Sequence, residues 1–154
     1  MWKKIKPYVI GILIPLLVGG LSALATRNSM DIYEEIVKPP LAPPGAVFPI
    51  VWSILFVLMG IGSARVYIKG GDQKVFPLFI YGIQLIVNFF WTLIFFNMQS
   101  YLLAFIWLIF LLVLVIYMAY EFYRIDKWAG ILQIPYILWI MFAGYLTWMI
   151  YLLN

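Results

Sequence analysis

Apolar residues run along this chain in long continuous stretches, broken by short clusters of charge, proline and glycine. A bilayer core about 30 Å thick takes about 20 apolar residues as a helix. Five stretches meet that length: 5–26, 46–68, 75–96, 101–123 and 128–153. A membrane barrel would instead show segments of roughly ten residues alternating apolar and polar, and these runs do not alternate. The pattern predicts an all-α fold, an integral membrane bundle of five transmembrane helices forming one domain over residues 1–154. Lys3, Lys4 and Lys6 precede the first run as they would a signal peptide. That run is longer than a signal peptide's apolar core and contains Pro7 and Pro15, so it is read as a retained first helix.

The breaks sharpen the topology. Residues 69–74, 97–100 and 124–127 are tight links, and short links make neighbouring helices antiparallel. The exception is 27–45, which holds Asp31, Glu34 and Glu35, then Lys38-Pro39-Pro40 and Pro43-Pro44-Gly45. Its four prolines stiffen it, so a defined lid is expected rather than a loose linker.

Composition supports the membrane reading. Hydrophobic residues make up 66% of the chain, against roughly half in a soluble protein. A soluble domain of this size could not hide that much apolar surface. There is no Cys and no His, which excludes disulfides, thiol nucleophiles, Cys or His zinc sites, His-ligated haem and the Ser-His-Asp triad. The net charge of +4 does not point to nucleic acid, because the basic residues sit at segment ends. With the N-terminus in the cytoplasm, eight basic residues lie inside and only Arg27 and Lys38 outside. That bias predicts a multi-pass protein of the cell membrane with N-terminus in, C-terminus out and the Pro-rich lid outside.

No acidic residue lies deep in a span, which counts against a proton pump or ion-coupled transporter. The deep polar groups are amides and hydroxyls. Gln84 and Asn88 share a helix face, which Trp91 and Thr92 continue. Two readings stay open for this stripe: interhelical glue, or a hydrogen-bonding handle inside a pocket. Trp2, Trp128 and Trp148 suit the interfacial belt. Trp52 and Trp139 lie further in, where an indole either packs in the core or stacks on a flat ligand. Gly19 with Ala23, and Gly60 with Ala64, are small-residue pairs suited to helix packing or dimerisation. Pro15, Pro49, Pro77 and Pro135 are positioned to kink or open helices.

Several local strings now form an ordered set. They are Lys38-Pro39-Pro40-Leu41-Ala42-Pro43-Pro44, Pro49-Ile50-Val51-Trp52, Gly60-Ile61-Gly62-Ser63, Gln84 with Asn88 and Trp91, Phe95-Phe96, and Pro135-Tyr136-Ile137-Leu138-Trp139. In that order the chain resembles, over nearly its whole length, the translocator protein family, also called tryptophan-rich sensory proteins or peripheral-type benzodiazepine receptors. The resemblance implies a five-helix bundle, commonly a homodimer, with a pocket inside the bundle capped by the first loop. It implies a membrane receptor for porphyrins such as protoporphyrin IX and for isoquinoline carboxamide or benzodiazepine ligands. Some bacterial members break down porphyrin in light and oxygen. No cofactor is implied, since porphyrin would be ligand or substrate. A facilitative carrier of tetrapyrroles or other flat hydrophobic metabolites, and a sensory scaffold, are the alternatives.

Residue by residue, the resemblance makes Trp52 and Trp139 pocket tryptophans and candidate catalytic indoles. It matches Asn88 and Trp91 to the third helix's pocket residues, Pro43 and Pro44 to the lid, Ala143 to a small lining position and Tyr33 to a lid aromatic. Ser22, Phe56 and Gln84 join them by helical face and position. The expected partners are a flat aromatic small molecule, the bilayer and a second copy of the chain, with no nucleic acid and no metal. Two departures matter. Leu41 and Ala42 stand where the family often has Trp-His, and in Leu146-Thr147-Trp148-Met149-Ile150-Tyr151-Leu152 a Trp replaces the Tyr of the cholesterol motif and a Leu its basic residue. No steroid site of that kind is expected.

Overall fold

The computed structural model describes residues 1–154, with the side chain of Met30 outside the description. Helix α1 spans Trp2–Thr26 and passes through a 3-10 turn, Arg27–Ser29, into the short α2, Met30–Glu35. Helix α3 is Val47–Lys69, and α4 is Val75–Thr92 followed by a π-helical turn, Leu93–Asn97. Helix α5 is Tyr101–Ile125, α6 Lys127–Ile131 and α7 Ile134–Leu153. No strand occurs among the described residues. Five helical segments are long and apolar enough to cross a membrane, the fifth made of α6 and α7 together. The expected all-α bundle of five spans is therefore the observed one.

Local chemistry explains where the elements depart from the expected runs. The fifth span breaks at Leu132–Gln133 because Pro135 has no N–H for the Ile131 carbonyl. The break frees the Ala129 carbonyl, and the Gln133 side-chain amide donates to it at 3.1 Å. Among the prolines expected to kink helices, Pro49, Pro77 and Pro135 instead lie within the first three residues of α3, α4 and α7. There the missing N–H has no intrahelical partner to lose. Only Pro7 and Pro15 sit inside a helix, and α1 continues through both. In the π-helical turn, Met98 N–H donates to the Leu93 carbonyl at 3.0 Å, five residues back. That extra residue brings Asn97 to the end of α1, where its amide donates to the Ala25 carbonyl at 3.0 Å and its oxygen accepts from Ser29 Oγ at 2.7 Å.

The expected small-residue faces are used within the protomer. A Cβ added at Gly11 would lie 2.6 Å from the Gly60 carbonyl oxygen, and one at Gly60 only 2.5 Å from the Gly11 carbonyl oxygen. Helices α1 and α3 thus meet backbone to backbone. One face higher, Gly19 makes room for the Phe56 ring, whose edge would be 2.6 Å from an added Cβ. The opposite faces remain apolar and exposed: Leu13, Leu17, Leu21 and Leu24 on α1, and Ile106, Phe110 and Val113 on α5. Stripes of this extent belong against lipid rather than water.

The end of the bundle that carries the N-terminus is closed by charge pairing. Asp126, buried between α5 and α6, caps α6 by accepting from Ala129 N–H at 3.1 Å. It also accepts from the Arg65 guanidinium and from Lys69 Nζ, the latter at 3.0 Å. Arg65, near the end of α3, therefore has a carboxylate partner. These hydrogen bonds, Arg65's first, hold the Asp126 carboxyl down at about 2. Glu121, one turn inside α5, pairs with Arg124 at 3.3 Å.

Candidate functional site

The opposite end, under the lid, is open. A cavity of about 540 Å³ lies between α1, α3 and the end of α4. That size falls in the range of roughly 300–1,000 Å³ usual for small-molecule pockets. Its wall is formed by Leu16, Gly19, Gly20, Ser22, Ala23, Thr26 and Arg27 from the first span, Phe48, Pro49, Trp52, Ser53 and Phe56 from the second, and Asn88, Trp91, Thr92 and Phe96 from the third.

Trp52 is the centre of an aromatic cluster. Its ring stacks on Phe56 at 5.6 Å and meets Trp91 at 6.4 Å, Tyr136 at 6.1 Å and Trp139 edge-on at 6.4 Å. Trp91 in turn stacks on Phe95 at 5.3 Å. Trp91 is only 4% exposed, yet its indole N–H has no hydrogen-bond partner. A buried donor left unpaired costs about 1–3 kcal/mol; the Trp91 ring forms part of the cavity wall, while its N–H is sealed behind that surface. The Trp139 N–H is likewise buried and unpartnered.

The two readings of the amide stripe divide between its members. Tyr136 Oη accepts from Asn88 Nδ2 at 2.8 Å and donates to Gln84 Oε1 at 2.6 Å. Gln84 is fully buried one turn below the cavity, with Nε2 against Met59 Sδ at 3.7 Å. It acts as interhelical glue between α4, α7 and α3. Asn88 belongs to the same chain of hydrogen bonds but also reaches the cavity wall, as a polar group anchored from behind.

Five of the expected site residues line one cavity: Ser22, Trp52, Phe56, Asn88 and Trp91. Trp139 stands behind Trp52, between it and Phe48 at 5.8 Å. Ala143 is buried in α7, where its carbonyl accepts from Thr147 Oγ1 at 2.7 Å. Tyr33 and Pro43 fasten the lid to itself: Tyr33 Oη donates to the Pro43 carbonyl at 2.7 Å, and the ring packs edge-on against Phe48 at 5.1 Å. Burial, with the Glu34 charge adding to it, pushes the Tyr33 phenol up to about 12, so it remains a donor at neutral pH. Pro44 starts the turn into α3, its carbonyl accepting from Val47 N–H at 3.0 Å. The lid is a short helix and a stiff extended arm. Lys38 Nζ ties it together by donating to the carbonyls of Tyr33, Glu34 and Ile36 at 2.6, 3.3 and 3.4 Å.

The residues that sequence reasoning passed over are Tyr136, Phe48 and Arg27. Tyr136 lies one helical turn before Trp139, a spacing that marks a shared face without saying which ring points inward. Phe48 follows no polar signal. Arg27 entered only as a charge to be counted.

The TspO/MBR family model matches residues 11–153. The chain is 36% identical to the tryptophan-rich protein TspO of Chlorobaculum tepidum, over 100% of this chain and 99% of that one. It is 34% identical to the tryptophan-rich protein TspO of Archaeoglobus fulgidus, over 98% and 99%. Against the translocator protein of Bos taurus it is 32% identical, over 88% and 83%. These likenesses run the length of the bundle just described, lid and cavity walls included, and the chain belongs to the TspO/MBR family of membrane proteins.

Proposed function

We propose that this protein is a membrane receptor that holds a porphyrin, or a flat aromatic ligand of the isoquinoline carboxamide or benzodiazepine type, in the cavity under the lid. The observation that carries this reading is the aromatic part of the wall, Trp52, Trp91, Phe56 and Phe48, in which the Trp52 indole N–H makes no hydrogen bond among the described residues and is not sealed off. Such a wall stacks on a flat ring system, and the indole donates to a ring or edge acceptor. Light-driven breakdown of a bound porphyrin by dioxygen follows from the same placement. The porphyrin is its own photosensitiser, and the protein positions it beside electron-rich indoles. Trp52 is on the wall and Trp139 behind it, so Trp52 dominates. Family membership adds assembly as a homodimer. Gly11, Gly19 and Gly60 are occupied within the protomer, so the subunit contact falls on other faces. The charge count puts the lid outside the cell membrane.

The test is illumination of protoporphyrin IX with wild type, Trp52→Phe and Trp139→Phe, following porphyrin absorbance. The expected order of decay is wild type fastest, then Trp139→Phe, then Trp52→Phe. Equal decay in all three and in a protein-free control overturns the photochemical role. Absence of saturable binding in the dark overturns the receptor.

A further inference from the structure

We propose that Arg27 is the specificity residue of the cavity and selects ligands that carry a carboxylate at their edge, an inference that rests on the receptor reading above. Arg27 lies in the 3-10 turn that follows α1 and forms part of the cavity wall at the lid end. It makes no salt bridge among the described residues, although Asp31, Glu34 and Glu35 follow it in the same segment. No acidic side chain belongs to the wall. Lys38, the other basic residue at this end, is engaged by the carbonyls of Tyr33, Glu34 and Ile36. Arg27 is thus the uncommitted cation at the mouth.

The rest of the wall points in the same direction. Its four hydroxyls have all given their protons to their own helices: Ser22 to Val18, Thr26 to Ser22, Ser53 to Pro49 and Thr92 to Asn88, each to the carbonyl four residues back. They face a ligand as acceptors. The unspent donors lie at two levels: the Trp52 N–H and the second Asn88 amide N–H at depth, and Arg27, exposed at the mouth. A ligand that satisfies both has a ring acceptor in its body and an anionic group at one edge. A planar guanidinium matches a carboxylate with two parallel hydrogen bonds. Trp52 and Asn88 fix depth, Arg27 fixes which edge points outward, and neutral flat molecules of the same size forgo the second contact.

The experiment compares protoporphyrin IX with its dimethyl ester, which has the same macrocycle without the carboxylates. Both are titrated by tryptophan quenching against wild type, Arg27→Gln and Lys38→Gln, in maltoside micelles free of lipid phosphate. Wild type prefers the diacid, by about tenfold as expected of one charge-assisted pair. Arg27→Gln abolishes that preference while leaving the ester's affinity within about twofold, and Lys38→Gln leaves the preference in place. Equal weakening of both ligands by Arg27→Gln makes the residue structural and overturns the proposal. An unchanged preference in Arg27→Gln also overturns it, leaving Arg27 as a partner for lipid phosphate or solvent. In both those cases the receptor reading survives. Failure of wild type to bind either porphyrin removes the receptor reading and this proposal together.

Discussion

The two ends of this bundle use their polar groups differently. At the N-terminal end, Asp126 collects Arg65, Lys69 and the Ala129 N–H on one carboxylate, and the Gly11 and Gly60 backbones touch. At the lid end the helices part around a cavity of about 540 Å³, and the Trp91 indole N–H and the Arg27 guanidinium are left without protein partners. Buried groups without a partner occur in both halves, Tyr81 Oη and Gln133 Oε1 toward the N-terminal end and the Trp91 and Trp139 N–H toward the lid, so what separates the two ends is the cavity and the exposed Arg27 at its mouth. The cavity makes the lid end the candidate site.

Mutations at the N-terminal end should break the fold, and mutations at the lid end should change binding first. The largest effect is expected from Gly60→Leu, which has no room against the Gly11 carbonyl. It should cost about 3 kcal/mol or more, seen as loss of a monodisperse peak in detergent. Tyr136→Phe comes next. Removing its hydroxyl leaves both Asn88 Nδ2 and Gln84 Oε1 unpaired, a cost of about 1–3 kcal/mol measured as a lowered melting temperature.

Trp91→Phe sharpens the contrast because its two effects have opposite signs. It removes a buried donor with no partner, so the ligand-free protein should melt at the same temperature or higher, while porphyrin affinity falls several-fold. Asp126→Asn should lower the melting temperature by several degrees at pH 7 without changing affinity. The sign with pH is fixed by the depressed carboxyl, about 2 in the folded protein against an ordinary 3.8. The wild-type advantage is full above about pH 4 and lost as the pH falls toward 2, so the two proteins' melting curves should converge in acid. The smallest effect is expected from Asn154→Ala. The Asn154 amide pairs with both backbone groups of Val37 in the lid arm, at 3.2 and 2.8 Å. Its loss should leave stability unchanged and raise ligand on- and off-rates together by a few-fold in stopped-flow quenching.

The spans were legible because an unbroken apolar run of about 20 residues suits a membrane helix and little else. The break before Pro135 and the π-helical turn at Leu93–Asn97 were not. Each is a one- or two-residue backbone event inside a uniformly apolar run, and hydropathy does not register it. The prolines were readable as punctuation, but whether Pro49 starts a helix or bends one depends on where the preceding lid stops. For the site, the face shared by Gln84, Asn88 and Trp91 was visible from helical spacing. Which residue answers them was not, since Tyr136 and Trp139 lie on the same side of α7 and only packing decides that Tyr136 takes the amides.

A flat ligand in the lid-end cavity would be held against Trp52 and Trp91. A dark titration of protoporphyrin IX reads this out, run against wild type, Trp52→Phe, Trp91→Phe and, as a control at the N-terminal end, Trp128→Phe. Binding should be several-fold weaker in the first two variants, and Trp128→Phe should keep wild-type affinity. Equal affinity in all four proteins would contradict it.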